Sequence, residues 1–188
     1  AWNLGAEKVA LVDENEVLGG VLPQCIHMGF GIHYFKRDLT GPEFASKLID
    51  QLRDTNVEIY GGAYMAELKV KSSLEKEVIG FQYGKAFKVR SKALIYAAGC
   101  RERNRFEIWI MGDRPSGVYT AGEAQTLMDL YGVLLGRSAV IVGSGDVGLI
   151  LARRLVLEGA KVKAVVEVLP YPGGLTRNVV QCLQDFSI

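Results

Sequence analysis

Val140-Ile-Val-Gly-Ser-Gly-Asp-Val-Gly148 is the stretch of sequence that decides the fold. An apolar segment from Ser138 to Val142 predicts a strand leading into it, and a helix is predicted from Asp146 to Glu158. A second predicted strand, Val162 to Val166, ends at Glu167. A glycine loop between a strand and a helix, followed by an acidic strand end, is typical of a dinucleotide-binding βαβ unit.

Each glycine of this motif has its own predicted role. Gly143 permits a tight turn, Gly145 lets the backbone approach a pyrophosphate, and Gly148 lets the helix pack closely on the strand. The N–H groups at the helix N-terminus favour a bound phosphate. The alternative is a glycine-rich turn that binds nothing. The predicted cofactor-binding residues of the loop are Gly143, Ser144, Gly145, Asp146, Val147 and Gly148.

Glu167 follows Gly148 by nineteen residues and predicts the preferred cofactor. A carboxylate at this position can accept hydrogen bonds from a ribose diol and repels a 2′-phosphate. NAD(H) is therefore favoured over NADP(H). Lys161 and Lys163 lie nearby and weaken this preference.

The composition of the 188 residues argues against several classes of function. The chain has 22 Lys and Arg against 21 Asp and Glu, a net charge of +1, so no excess charge points to nucleic acid or an anionic membrane. No apolar run has the length of a membrane span, and no signal peptide is recognisable. Cys25, Cys100 and Cys182 lie far apart without zinc-site spacing. We expect no metal and a cytoplasmic location.

The N-terminal half predicts a second nucleotide-binding unit. Residues Ala1 to Ala6 look like the end of a helix, and Val9 to Val12 is predicted as a strand that leads to Asp13. Gly19 and Gly20 follow. This order is the second half of a strand–helix–strand unit, so we expect its first strand and glycine loop to be missing.

The remaining pattern combines helices, parallel strands and a meander. The fold class that follows is α/β, with two Rossmann-like dinucleotide-binding domains, both incomplete, and a small antiparallel β-meander. The domains are predicted as 1–104 and 105–188, and the chain as a fragment of a longer protein. Predicted helices are Gly41–Thr55, Ala121–Tyr131 and Leu175–Asp185; predicted strands are Val57–Ile59, Met65–Val70, Val78–Tyr83, Ala86–Arg90 and the buried Ala93–Tyr96; residues 100–118 are predicted as a crossover.

This order of features resembles the pyridine nucleotide–disulfide oxidoreductase superfamily, whose members contain two dinucleotide-binding domains. Three strings carry the closer resemblance: Gly19-Gly-Val-Leu-Pro-Gln-Cys-Ile-His-Met-Gly-Phe-Gly31, Ala98-Gly-Cys-Arg-Glu-Arg103 and Tyr171-Pro-Gly-Gly-Leu-Thr-Arg-Asn178. They are similar to a branch that includes the FAD- and NAD-binding subunits of dye-linked proline dehydrogenase, sarcosine oxidase and anaerobic glycerol-3-phosphate dehydrogenase-like complexes.

The resemblance implies an FAD site in the N-terminal half. Asp13 matches the acid that binds the adenosine ribose of FAD, and Gly19 and Gly20 match the pair that approaches the flavin side. Ala98 and Gly99 match a turn that is usually Ala-Thr-Gly, with Ala98 in the place of Thr. The alternatives are an ordinary strand-end acid and plain turns.

Met65 falls where the family contacts adenine through its backbone, although it could equally be a core residue. Cys25 and His27 follow the Gly19-Gly20 pair and are weak candidates for catalysis near the flavin, with an inert thiol and a structural hydrogen bond as the alternatives. No second cysteine lies four or five residues after Cys25, so disulfide reductase activity is not expected.

These features predict a flavin-dependent oxidoreductase, or a subunit of one, that transfers a hydride between NAD(H) and FAD. A small-molecule substrate or electron acceptor would react there or on a partner subunit, and a homo-oligomer is also open. The alternative is a non-catalytic nucleotide-binding or scaffold subunit of a hetero-oligomeric dehydrogenase complex. A dehydrogenase without flavin would need a single Rossmann unit, which the pattern of residues 1–99 disfavours.

Overall fold

The structure is a computed structural model that describes the backbone of all 188 residues and the side chain of every residue except Trp2. The chain forms two compact units. Unit 1 contains residues 1–23 and 28–99, and unit 2 contains residues 24–27 and 100–188. The observed α/β architecture with a separate antiparallel meander confirms the predicted fold class.

A parallel strand pair joined through a helix forms the Rossmann-like part of unit 1. Strand β1 (Ala10–Val12) lies parallel to β4 (Glu58–Tyr60), and helix α2 (Gly41–Arg53) occurs between them in the chain. Thr40 sets the start of α2, because its hydroxyl accepts from the Glu43 N–H and the Glu43 carboxylate accepts from the Thr40 N–H at 2.8 Å. Three short elements lie immediately before α2 in the chain: β2 (Met28–Phe30), α1 (Ile32–Phe35) and β3 (Leu39–Thr40).

The predicted meander is a three-stranded antiparallel sheet. Its strands β5 (Ala63–Ser72), β6 (Glu75–Gln82) and β7 (Lys85–Ser91) are hydrogen-bonded in chain order. Gly80 is required on β6, because a Cβ there would lie 2.6 Å from the Tyr64 carbonyl oxygen. The meander therefore depends on a glycine at its centre as well as on its strand-forming residues.

The prediction of a buried strand at Ala93–Tyr96 is wrong. The structure has no regular element there, and the side chains of Ile95 and Tyr96 are 79% and 72% exposed. A parallel strand needs a hydrogen-bonding neighbour. Among the described residues, β1 has one partner, β4, and no third strand extends this pair. The apolar composition of the segment was therefore not sufficient to make it a strand.

Unit 2 contains the predicted βαβ unit with its predicted order. Strand β8 (Ser138–Val142) lies parallel to β9 (Lys161–Val166), and α4 (Asp146–Leu157) connects them. Leu149 and Ala152 on α4 have no exposed surface. Helix α4, the strand pair and the segment Ala121–Leu130 form a common core, whose buried members are Ala124, Met128, Ile141, Leu151, Ala152, Leu155, Ala160 and Val162.

The helices that flank this unit differ in detail from the prediction. The segment predicted as one helix at 121–131 is α3 (Ala121–Gln125) followed by a π-helical turn (Thr126–Leu130). The last predicted helix is shorter, with α5 at Thr176–Cys182 and a 3₁₀ turn at Gln184–Phe186. The helix end predicted at the start of the chain is a 3₁₀ turn, Trp2–Leu4.

Candidate functional site

The glycine loop lies at the carboxyl end of β8, where it turns into α4. Gly143 has φ +99°, a left-handed conformation that favours glycine, and its N–H donates to the Val166 carbonyl at 2.7 Å. A Cβ on Gly148 would lie 2.8 Å from the Gly143 carbonyl oxygen. Both glycines are therefore needed to form the turn and to bring the helix close to the strand.

Gly145 differs from Gly143 and Gly148 because nothing in the fold requires a glycine at this position. Its φ is −66°, which any residue can adopt, and no atom lies within 4 Å of the position a Cβ would take. The space in front of Gly145 opens at the N-terminus of α4. A glycine whose side-chain space is empty and faces a helix N-terminus fits the close approach of a pyrophosphate.

The Glu167 carboxylate accepts four hydrogen bonds from its own chain. One oxygen accepts from the Ser144 N–H at 2.9 Å and from the Ser144 hydroxyl. The other accepts from the N–H groups of Val168 at 2.8 Å and Leu169 at 3.1 Å. The Ser144 hydroxyl, more than the backbone donors, lowers the pKa of Glu167 to about 2. The carboxylate is therefore charged at neutral pH, with its accepting positions filled.

A turn after β9 contacts the glycine loop. We call residues 170–175, which have the sequence Pro-Tyr-Pro-Gly-Gly-Leu, the docked turn. The Gly173 N–H donates to the Ser144 hydroxyl at 2.8 Å, and the Leu175 N–H donates to the Asp146 carboxylate at 2.7 Å. Gly174 is required there, because a Cβ would lie 2.7 Å from the Leu149 side chain. Gly174 of the Gly-Gly pair is thus explained by close packing on the loop, whereas a Cβ on Gly173 would make only ordinary contacts at 3.9 Å or more.

Sequence reasoning missed the role of Asn178. This residue is buried in α5, and its side-chain amide donates to Asp146 at 2.8 Å. Asp146 was expected to belong to the phosphate loop, and the structure directs its carboxylate toward the docked turn and α5. The string Tyr171–Asn178 carried the signal, since its polar end reaches back to the glycine loop.

An open cavity of about 200 Å³ lies beside Glu167. Its wall is mainly apolar, and Ser144 and Glu167 provide polar groups. The lining residues are Ser144, Val165, Glu167, Leu169, Pro170, Tyr171, Pro172 and Leu183. The glycine loop, the acidic strand end and the docked turn therefore lie together at one end of the β8–β9 pair.

In unit 1, the structure places Asp13 beside the start of the meander. The backbone carbonyl of Asp13 accepts from the Ala63 N–H at 2.9 Å, two residues before Met65. The Asp13 carboxylate accepts from the backbone and side chain of Asn15 at 2.9 and 3.2 Å. One carboxylate oxygen is thus engaged in a local turn. Met65 itself is half-buried on β5.

Three glycines of unit 1 that are predicted to bind FAD have left-handed backbone conformations. Gly19 and Gly20 have φ values of +128° and +57°, and Gly99 has φ +70°. A Cβ on Gly20 or on Gly99 would meet no atom within 4 Å. Ala98 and Gly99 are exposed. Backbone at these positions is therefore accessible to a ligand.

The two weak catalytic candidates, Cys25 and His27, belong to unit 2. Burial, and then the negative charge of Asp129, raise the pKa of the Cys25 thiol. A raised pKa disfavours the thiolate, which is the reactive form of cysteine. The surroundings of Cys25 therefore favour the interpretation of an inert thiol.

Among the described residues, no group of three or more His, Cys, Asp or Glu side chains could hold a metal ion. None of the described helices combines the length and apolar character that crossing a membrane requires.

Part of a curated oxidoreductase is similar to this chain in sequence. No family model matches the chain. Sarcosine oxidase subunit alpha from Rhizobium meliloti (strain 1021) is 27% identical over 193 residues, a match that covers 93% of this chain and 18% of that protein. The chain thus spans less than a fifth of the length of this curated relative.

Two solved structures share the fold. The L-proline dehydrogenase from P. horikoshii matches 86% of this chain and 30% of its own, with a TM-score of 0.63 and 19% identity. The thioredoxin reductase from T. acidophilum matches 96% of this chain and 54% of its own, with a TM-score of 0.64 and 20% identity. The glycine loop, the meander and these matches agree with the resemblance seen in the sequence. The chain is therefore structurally similar to FAD/NAD(P)-binding Rossmann-type oxidoreductases.

Proposed function

We propose that the chain is a flavin-dependent oxidoreductase, or part of one, that transfers a hydride between NAD(H) and FAD. The observation that carries this proposal is the empty space at Gly145, at the N-terminus of α4, beside the charged Glu167 carboxylate. A dinucleotide pyrophosphate fits this arrangement because backbone N–H groups and the helix dipole favour an anion there.

The residues of unit 2 would bind NAD(H). Gly143 shapes the turn, and Gly145 leaves room for the phosphates at the start of α4, where Val147 is exposed. The charge of Glu167 would reject the 2′-phosphate of NADP(H). Because four donors already occupy the Glu167 carboxylate, a ribose diol would have to share these acceptors or displace a donor.

The residues of unit 1 would contribute to FAD binding. Asp13 would accept from the adenosine ribose, and the backbone at Gly19, Gly20 and Gly99 would approach the cofactor. Their left-handed conformations and the open space at Gly20 and Gly99 support these roles. Met65 would lie near adenine and Ala98 beside the Gly99 turn. We propose a domain boundary between residues 104 and 105, five residues after the division between the two compact units.

The protein's part in the reaction would be to bind and orient. When both cofactors are bound, the nicotinamide and the flavin supply the hydride donor and acceptor. The transfer needs no protein base, so neither Cys25 nor His27 has to be a catalytic residue. The glycine loop would hold the phosphates, and Glu167 would select the adenosine end.

The reaction partner would be a small-molecule substrate or an electron acceptor, bound on this chain or on another subunit. The sarcosine oxidase relative is named as a subunit, and this favours a partner subunit over an isolated enzyme. We expect a reduced, cytoplasmic setting because the three cysteines show no disulfide framework.

The visible spectrum of the intact natural protein, recorded after FAD is added and the unbound excess is removed, tests the proposal. We expect a flavin band at about 450 nm that bleaches when NADH is added in the absence of oxygen. The matched variant Gly145→Val should retain the band and lose the bleaching, because its side chain fills the pyrophosphate approach. A flavin-loaded wild-type protein that NADH does not reduce, and that passes no electrons to a dye, would instead identify a non-catalytic scaffold subunit.

A further inference from the structure

The Ser144 hydroxyl connects two parts of the candidate NAD(H) site. Ser144 is only 2% exposed, and its hydroxyl donates to the Glu167 carboxylate. The same oxygen accepts from the Gly173 N–H at 2.8 Å. One buried hydroxyl of the glycine loop therefore holds both the acidic strand end and the docked turn.

The rest of the docked turn is held by polar contacts more than by burial. Tyr171 and Leu175 are 61% and 57% exposed, so little apolar surface fixes the turn in place. Asp146 supplies the second attachment, through the Leu175 N–H at 2.7 Å. Both attachments come from residues of the glycine loop, so the position of the turn depends on that loop.

The same hydroxyl also determines where the negative charge of Glu167 lies. Without it, one carboxylate oxygen would keep a single donor, the Ser144 N–H at 2.9 Å. A carboxylate with fewer donors has more rotational freedom, and repulsion between like charges falls as their separation grows. Discrimination against a 2′-phosphate requires this charge to stay close to the ribose.

We propose that Ser144 is a positioning residue for cofactor choice, which it controls by fixing the Glu167 carboxylate and the docked turn against the adenosine end of the dinucleotide. This inference rests on the proposed NAD(H) site. Ser144 need not touch the cofactor, because its side chain is buried behind the loop. Loss of its hydroxyl should let the site tolerate a 2′-phosphate.

Fluorescence titrations with NADH and NADPH test this role. In Ser144→Ala, the ratio of the NADPH dissociation constant to the NADH dissociation constant should fall by about fivefold or more. This is a typical size for a coupling free energy expressed as a change in affinity. Ser144→Thr keeps a hydroxyl and should restore most of the wild-type ratio. Ser138→Ala is the matched control, because Ser138 is exposed at the start of β8 and should leave the ratio unchanged.

Amide hydrogen exchange provides a readout without nucleotide. Ser144→Ala should accelerate exchange of the Gly173 amide, which loses its acceptor, and leave the Leu175 amide bonded to Asp146. Equal weakening of NADH and NADPH, with the ratio unchanged, would overturn the positioning role of Ser144. If the wild-type chain binds no NADH at all, the proposed function itself fails, and this inference fails with it.

Discussion

The glycines of the loop show that similar residues can be needed for different reasons. Gly143 and Gly148 are required by the fold, through a left-handed φ of +99° and a contact of 2.8 Å from a hypothetical Cβ to backbone. Gly145 has no such requirement. The sequence motif marks all three equally, and only the surrounding atoms separate the structural glycines from the one suited to ligand approach.

Gly145→Ala should weaken NADH binding while the fold remains intact. The new Cβ meets no atom of the protein, so the free energy of unfolding should change by no more than about 1 kcal/mol, the size of a change of N-cap residue. Binding should weaken at least tenfold, because the methyl group occupies the pyrophosphate approach. Gly136→Ala is the control, since Gly136 is exposed and uncrowded. Unchanged NADH affinity in Gly145→Ala would refute the role of this glycine.

Gly148→Ala should show the opposite pattern. Its Cβ would lie 2.8 Å from the Gly143 carbonyl oxygen and 3.4 Å from the Ile141 side chain, so α4 must move away from β8. Overpacking of this kind costs about 1–3 kcal/mol. Urea unfolding followed by circular dichroism should detect the loss. A urea midpoint equal to that of the wild type would mean that α4 moves away from β8 without loss of stability, which would contradict this prediction.

At the scale of elements, the meander depends on a buried carboxylate. Glu77 on β6 is 3% exposed, and cations at Lys71, Lys88 and Arg90 lie around it. The hydrogen bond from Arg90, more than the lysines, lowers the pKa of Glu77 to about 2. Its usual value is about 4.3 in an unfolded chain. The meander is thus stabilised by an ionised group at its centre.

The meander should therefore lose stability in acid. Because the folded pKa of Glu77 is depressed, its stabilisation is complete above the unfolded value and disappears as pH falls from about 4.3 through about 2. Protection factors of β6 amides, which are corrected for the pH dependence of intrinsic exchange, should fall in the wild type as the pH is lowered through this range. Glu77→Gln should reduce the pH dependence of β6 amide protection. Glu67→Gln removes an exposed partner of Lys69 and should leave this pH dependence unchanged. Identical profiles for wild type and Glu77→Gln would rule out this role.

Some elements of secondary structure could be predicted from sequence patterns alone, and others could not. The βαβ unit and the meander were predictable because their residues contact neighbours that the pattern itself contains, such as Val142 beside Val166. The segment Ala93–Tyr96 has the composition of a buried strand but lies beside no partner strand in the described residues, so it remains irregular. Strand formation depends on pairing, which composition alone does not report.

The residues of the candidate site could be predicted from the sequence, but the hydrogen bonds that join them could not. The sequence pattern identified Gly143–Gly148 and Glu167, which lie together in the structure. It did not indicate that Ser144 donates to Glu167, or that Asp146 bonds to Asn178. These contacts join residues more than twenty positions apart, and no local periodicity encodes them.

At the scale of the whole molecule, two compact units each contain one parallel strand pair. In the described residues, unit 2 combines a glycine loop at a helix N-terminus with an acidic strand end, and unit 1 supplies an acidic strand end and exposed glycine backbone. This difference leads us to assign the NAD(H) site to unit 2. The strongest prediction for the whole chain is therefore a single NAD(H) site.

Isothermal titration calorimetry of the purified 188-residue chain, with NADH and then with NADPH, tests the assignment of a single NAD(H) site most directly. We expect saturable binding of one NADH per chain, with NADPH about tenfold weaker or more, because a 2′-phosphate would face the ionised Glu167 carboxylate. The absence of saturable NADH binding, or NADPH binding as tight as that of NADH, would contradict the assignment.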